Sequence, residues 1–326
     1  MRRTGLNRRA FLGATVAVGL VPGVAQAASP LTIAVISDLN GSYGSTEYDQ
    51  RVHDAIRSIR TLTPDLVICT GDMVAGQKTG PHLSDQQIAA MWQAFHVAVT
   101  HPLTDAGIPL LVTPGNHDAS AYPGFQAERR AFDRTWTENA PQVEILDGER
   151  YPFRYAASHK GILLIGLDIT VAGRLPVEEM EWLDGLLRDE GDRHDVRLVF
   201  GHLPVWPVTQ GRENDVIGDP DFMTLLVNRR VDAYLSGHHH GWYPARKDGV
   251  LLLSQACLGG GPRKYIGGER AERGFGLLKL GTGKGLAFSS RAAPDYTVPI
   301  GQSRLPAQIG RGSAGLVLFS RDAPDL

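Results

Sequence analysis

Three apolar-rich runs near the start of the chain, Leu31–Ser37, Asp65–Thr70 and Ile108–Thr113, each stop at a polar or glycine-bearing turn. The turns open with Asp38, with Gly71-Asp72 and with Pro114-Gly115-Asn116-His117. Short runs that do not alternate between apolar and polar positions predict strands covered on both faces. Between them the apolar spacing changes to three and four residues. Val52, Ile56 and Ile59 share one face of a helix predicted over 47–62, with Ser45 or Thr46 as its cap. Ile88, Met91, Phe95 and Val99 share one face of a helix over 84–100 capped by Ser84, and a third helix is predicted over 124–139. The order β-α-β-α-β calls for parallel strands joined by helical crossovers.

The second half repeats the theme less regularly. Candidate strands are Ile162–Leu167, Val196–Phe200, Val231–Leu235, Val250–Leu253 and Phe275–Leu280, with helices near 176–190 and 219–229. The fold class is therefore α/β, with two sheets packed face to face and helices outside, an α/β/β/α sandwich in one domain over 28–285. No internal repeat is visible. Residues 286–326 are rich in Gly, Ser and Pro with little periodicity, and read as a C-terminal extension ending in a loosely packed tail.

Composition supports a globular reading: 42% of the 326 residues are hydrophobic, enough for one large core. The first 27 residues stand apart, because Arg2, Arg3, Arg8 and Arg9 precede an apolar stretch, Phe11 to Val24, that ends in Ala25-Gln26-Ala27. This is the layout of a removable export signal at 1–27. Asn7-Arg8-Arg9-Ala10-Phe11-Leu12 resembles a twin-arginine signal, which sends folded proteins through the export machinery to the periplasm or beyond. Cleavage leaves no stable membrane association. Loss of the four arginines, with no acid removed, shifts the formal charge from −2 to −6. A mildly acidic protein is poorly suited to bind duplex nucleic acid through its phosphates. Cys69 and Cys257 lie in or beside apolar runs and read as buried free thiols rather than a disulfide or a metal pair.

Ligands in open α/β sheets bind where strand C-terminal ends converge. This chain places metal-type donors at five such ends: Asp38, Asp72, Asn116-His117, His202 and His238-His239-His240. Singly, each has an ordinary reading as a cap, a turn residue or a hydrogen-bonded histidine. Jointly they point to a metal site. If residues 238–240 are extended, His238 and His240 project to one side and His239 to the other.

The ordered set Asp38-Leu39-Asn40, Gly71-Asp72, Gly115-Asn116-His117-Asp118, Gly201-His202 and Gly237-His238-His239-His240 resembles the signature of the calcineurin-like metallophosphoesterases, D-x-H, G-D, G-N-H-D/E, G-H and G-H-x-H. Four of the five motifs match in full, over a region from about residue 31 to 280. The resemblance implies the metallophosphoesterase sandwich and a dinuclear site for two divalent ions, with Asp72 bridging. Asn116, His202 and His238 would complete one ion, and Asp38, position 40 and His240 the other. Mixed oxygen and nitrogen donors without thiolate suit Mn, Fe or Zn. It also implies hydrolysis of a small-molecule phosphate ester by a metal-bound hydroxide, with His117 protonating the leaving group. Asp118 either orients His117 or caps the next turn.

The departure is Asn40, where the signature has histidine. Purple acid phosphatases, distant relatives, also lack that histidine and carry a tyrosine three residues after the G-D aspartate; here that place holds Ala75. Three readings stay open: Asn40 ligates through its amide oxygen, water or Tyr43 takes the place, or one ion is lost and catalysis is weak; the competing class is a non-catalytic metal- or ligand-binding protein on the same scaffold. Three further stretches have paired readings: 40–46 as a phosphate cradle or a plain loop, Gly259–Tyr265 as a phosphate contact or a solvated loop, and Leu203–Pro207 as a pocket wall or core packing. His53, His82, His96, His101, His159 and His194 have no motif context.

Overall fold

The structure, a computed structural model, describes residues 31–280, 285–310 and 315–318. The expected export signal at 1–27 and the end of the C-terminal extension from 319 onward lie outside these residues. Two sheets face each other. The first has five strands in the order β12-β11-β1-β2-β3. Here β1 (Leu31–Ile36), β2 (Leu66–Cys69) and β3 (Leu110–Val112) are parallel, while β11 (Gly274–Leu280) and β12 (Leu286–Ala292) run antiparallel along the β1 edge.

The second sheet has nine strands, β13-β14-β9-β10-β8-β7-β6-β5-β4. Its centre is parallel: β6 (Ile162–Gly166), β7 (Val196–Phe200), β8 (Ala233–Ser236) and β10 (Val250–Ser254). Antiparallel strands flank it: β4 (Glu144–Arg150) and β5 (Arg154–His159) on one side, and β9 (Tyr243–Lys247), β14 (Leu316–Leu318) and β13 (Gln308–Ile309) on the other.

Alternation along β1 shows why these strands are apolar throughout. Ile33 and Val35 pack between the sheets with Leu164, Leu198 and Phe200. Ala34 and Ile36 pack on the opposite face against Val52, Ile56 and Ile59 of α1 (Gln50–Leu62). From Ile33 to Ile36 every side chain of the strand therefore leaves water, and that stretch carries no polar residue. The helices over the first sheet are α1, α2 (Asp85–Phe95), the short α3 (His101–Asp105) and α4 (Asn116–Ala119), and α5 (Gln126–Glu138). On the second sheet lie α6 (Val177–Glu190) and α7 (Pro220–Asn228), which bury Leu183, Leu187, Phe222 and Leu226. No helix among the described residues is long and apolar enough to cross a membrane.

Several details differ from the sequence reading. The cap of α1 is Asp49, whose carboxylate accepts from Arg51 N at 2.9 Å, whereas the Ser45 hydroxyl accepts from Glu47 N in a turn of its own. Ser84 caps α2 through a reciprocal pair with Gln87, but the helix predicted to 100 gives way at His96 to a single π-helical turn. Pro102 follows, and it cannot donate to the carbonyl of Ala98. The strands β4, β5, β9, β12, β13 and β14 had no clear signal. β4 is a largely exposed, bulged edge, and β9 carries Pro244. β12, at the start of the 286–326 extension, pairs with β11 along its whole length.

The strand ends are bolted together by backbone. Asp38 N donates to Gly71 O at 3.1 Å, Leu39 N to Asp72 O at 2.9 Å, and Gly237 N to His202 O at 2.9 Å. Glycine is required where these turns touch. A Cβ on Gly71, which sits at φ +99°, would lie 2.7 Å from Gly115 Cα, and one on Gly115 would lie 2.2 Å from Asp72 Oδ1. The motif glycines thus set how closely the ligand-bearing turns approach.

Candidate metal centre

Each donor sits just beyond a strand, and four of them bend the chain through left-handed backbone. Asp38, Asp72, His238 and His240 have φ of 52°, 55°, 62° and 53°. For a residue with a Cβ this costs about 1–2 kcal/mol, so it persists only where surrounding bonds enforce it. The turn throws each side chain back into the crevice between the two sheets. Residues 238–240 are therefore not extended, and the expected alternation is not the reason the outer histidines share a side. His239 is turned away by its own contacts: its Nδ1 accepts from Val208 N at 3.1 Å, and its Nε2 lies 3.1 Å from Asp215 O.

Four lone-pair atoms meet at one point. His202 Nδ1 lies 2.8 Å from the carbonyl of Thr70, which can only accept, so Nδ1 keeps its proton and Nε2 is the ring atom free to take up a second proton or a metal. That Nε2 lies 3.0 Å from Asn116 Oδ1, 3.1 Å from His238 Nδ1 and 3.4 Å from Asp72 Oδ2. Asn116 is oriented by Gln77, whose Oε1 takes an Nδ2 proton at 2.7 Å and leaves Oδ1 facing inward. His238 turns its Nε2 toward Asp215 Oδ2, 3.6 Å away, which directs Nδ1 to the cluster. Asp72, His202 and His238 form a buried group with metal-binding spacing. Acceptors packed this tightly repel one another unless a cation stands among them. The donor set of one carboxylate, one amide oxygen and two imidazoles suits a divalent transition metal.

A second, smaller grouping lies alongside. Asp38 is fully buried; its Oδ2 accepts from His238 N at 3.1 Å, and its Oδ1 lies 3.1 Å from His240 Nε2 without a hydrogen bond that satisfies it. His240 Nδ1 is anchored on the carbonyl of Gly261 at 2.9 Å, so its Nε2 too is the ring atom that a second proton or a metal would occupy. Asn40 is buried at its edge, tied by its backbone N–H to Asp72 O at 3.2 Å. Tyr43 is exposed, and its ring leans on that of His117 with centroids 5.3 Å apart.

The electrostatics match. Burial alone would lower the imidazole pKa values, but the carboxylates overturn it: Asp72 and Asp38 hold His202 up to about 9, and Asp38 holds His240 up to about 10. Burial would raise Asp72, yet His202 and His117 keep its carboxyl far below the usual range. The pocket is thus built for positive charge, supplied by protons or by a metal.

His117 stands beside the cluster without entering it. Its backbone N–H donates to Asp72 Oδ1 at 2.9 Å, its Nδ1 rests on Gly76 O at 2.9 Å, and its Nε2 faces the site 3.9 Å from Asp72 Oδ2. Asp118 does not touch the His117 ring. Its two oxygens accept from Val74 N and Gly115 N, both at 2.9 Å, so it fastens the G-D turn to the start of α4. Burial and the nearby Asp72 push the Asp118 carboxyl up to about 7.

Sequence reasoning did not find Gln77, Asp215 or the carbonyls of Thr70, Gly76 and Gly261, which orient the donors from patternless loops. Of the amides of 40–46, those of Asn40, Gly44 and Ser45 already donate to Asp72 O, Ala75 O and Ser42 O and cannot cradle phosphate. Both cysteines are buried and unpaired. A cleft of about 140 Å³ opens beside Asn116 and His238, lined further by Gln77, Tyr122, Leu203 and Arg212.

Comparison with known proteins bears on the same residues. No curated protein sequence matches the chain. Among solved structures, a purple acid phosphatase, PPD1, from yellow lupin superposes with a TM-score of 0.61 at 15% identity, covering 83% of this chain and 52% of that one. The chain thus spans about half the length of that enzyme. A dimetal phosphatase from Danio rerio aligns at a TM-score of 0.54 and 14% identity, covering 81% and 97% of the two chains. GAP50 of Plasmodium, described as the anchor in the inner membrane complex, aligns at 0.54 and 12%, covering 82% and 86%. At these identities the likeness is one of fold. The sequence model of the calcineurin-like phosphoesterases matches residues 31–242, the span that carries every strand-end donor from Asp38 to His240, and the chain belongs to that family.

Proposed function

We propose that the protein hydrolyses small-molecule phosphate esters at a dinuclear site, Asp72 Oδ2, Asn116 Oδ1, His202 Nε2 and His238 Nδ1 holding one divalent ion, and Asp38, His240, Asp72 and Asn40 the other. The observation that carries this reading is the convergence of three potential ligand atoms, Asn116 Oδ1, His238 Nδ1 and Asp72 Oδ2, at 3.0–3.4 Å from a fourth, His202 Nε2. Ions bound there would acidify the attacking water and neutralise charge on the phosphoryl oxygens. The chain's own residues do the rest. Gly76 O fixes the His117 tautomer so that Nε2 faces the crevice, where its protonated form can hand a proton to the departing alkoxide. Thr70, Gly261, Gln77 and Asp215 hold the ligand atoms in place before anything binds, which lowers the reorganisation needed on binding. The site's depth between two sheets excludes bulk water and strengthens each interaction.

Asn40 favours a second reading. A neutral amide in place of imidazole weakens the outer ion, and a scaffold of this fold with a non-hydrolytic description exists in GAP50. In that reading the chain binds a metal or ligand without turnover. The N-terminal residues support export to the periplasm by a twin-arginine route, which suits a protein that folds around its metal before leaving the cytoplasm.

His117→Ala is expected to keep its metal content, measured by elemental analysis, and to lose about 10²–10⁴-fold in turnover of p-nitrophenyl phosphate by the Mn-loaded protein. Asp72→Ala should lose both; equal metal content and equal rate loss in the two variants would contradict the assigned roles. Asn40→His should tighten the weaker ion and raise the rate, and the non-catalytic reading stands if neither it nor the parent hydrolyses the ester. Metal loading should also release protons. His202 at about 9 and His240 at about 10 are protonated at pH 7.5 in the metal-free protein, so binding should displace one or two protons, and fewer as pH rises past those values. An indicator dye in weak buffer reads this directly, and no release at pH 7.5 would remove both rings from the ligand set. N-terminal sequencing of protein recovered from the periplasm should begin at Ala28; an intact Met1 terminus would end the export proposal.

A further inference from the structure

Beside the metal-ligand groups stands an arginine without an acid. Arg263 follows the glycine run Gly259-Gly260-Gly261, and that run is wedged against the site. Leu258 N, Gly259 N and Gly260 N all donate to the Ser37 and Asp38 carbonyls, Gly261 O anchors His240, and a Cβ on Gly260 would lie 2.6 Å from the His240 ring. Arg273 braces the loop from behind, donating to Gly260 O at 3.1 Å. The Leu258, Gly259 and Gly260 amides are therefore committed, and the half-buried cation that this loop keeps near the site is Arg263, its neighbour Lys264 being exposed.

That side chain is half-buried, its Nε is sealed from solvent without an acceptor, and among the described residues it forms no ion pair. Its electrostatic neighbours include Arg212, Asp38, Cys257, Asp72 and His239. Arg212 sits on the facing loop, which an isolated bridge between Thr209 and Tyr265 joins to this one, and it is already paired with Asp215 at 2.6 Å. Once divalent ions occupy the site, Asp38 and Asp72 are neutralised, and Arg263 faces another arginine and two cations with no counter-charge. A half-buried guanidinium in that setting is placed to receive an anion.

Building on the proposed hydrolysis, we infer that Arg263 is a substrate-binding residue that grips a non-bridging phosphoryl oxygen and selects dianionic phosphate monoesters over monoanionic diesters. A monoester carries the extra charge and the extra free oxygen that a guanidinium can use; a diester has esterified that oxygen.

The test compares the metal-loaded parent with Arg263→Ala and Arg263→Lys, with metal content measured for each. Two readouts are taken: calorimetric binding of inorganic phosphate, and kcat/KM for p-nitrophenyl and bis-p-nitrophenyl phosphate. Arg263→Ala should weaken phosphate binding about tenfold or more, with Arg263→Lys between, and should lower the monoester kcat/KM at least tenfold more than the diester value. Phosphate affinity within twofold of the parent, equal losses on both esters, or loss of metal from Arg263→Ala would each overturn the assignment, the last by placing the residue in the scaffold. If the parent hydrolyses neither ester, the proposed function fails, and the phosphate isotherms still decide the role of Arg263.

Discussion

The structure depends on a buried cluster of polar atoms that needs positive charge among them, from protons or from a metal. Two imidazole nitrogens, an amide oxygen and a carboxylate oxygen are held close together in a buried crevice, the rings and the amide aimed inward by the contact on the far side of each. Thr70 O takes the His202 proton, Gly261 O that of His240, Gln77 the Asn116 amide hydrogen, while Asp215 faces the His238 Nε2. Those outer contacts are weak singly, but together they fix the direction in which every ligand points.

Holding such a cluster requires a rigid frame, and the two-sheet sandwich supplies it. The donors ride on the ends of strands whose other residues are sealed on both faces, so the turns cannot relax outward without exposing apolar surface. Left-handed backbone at Asp38, Asp72, His238 and His240 is a cost that the frame offsets. Contact between the Gly71 and Gly115 turns shows how little room remains: even one methyl group would force the first sheet's strand ends apart.

Much of this was legible along the chain. The parallel strands and most of the helices could be placed because burial on both faces or on one helical stripe leaves a pattern in the residues themselves. β4 and β9 could not, since an exposed bulged edge and a proline-bearing strand leave none. At the centre, the donors Asp38, Asp72, Asn116, His202, His238 and His240 stood out by residue type at strand ends. Gln77 and Asp215 did not, because an amide or a carboxylate in a loop has no periodicity and acquires its task from what it faces. The role of Asp118, open between orienting His117 and capping a turn, is settled by its two backbone donors.

The sequence by itself determined the layering, the order of the ligand-bearing turns and the chemistry that those turns could present, because each is encoded in local spacing and residue type. Only the tertiary structure decided which lone pair of each ring faces inward, which loop amides are already committed, and that Arg263 is left without a carboxylate. The physical reason is that hydrogen-bond partners and charge neighbours come from segments far apart in sequence, joined only when the two sheets close on each other.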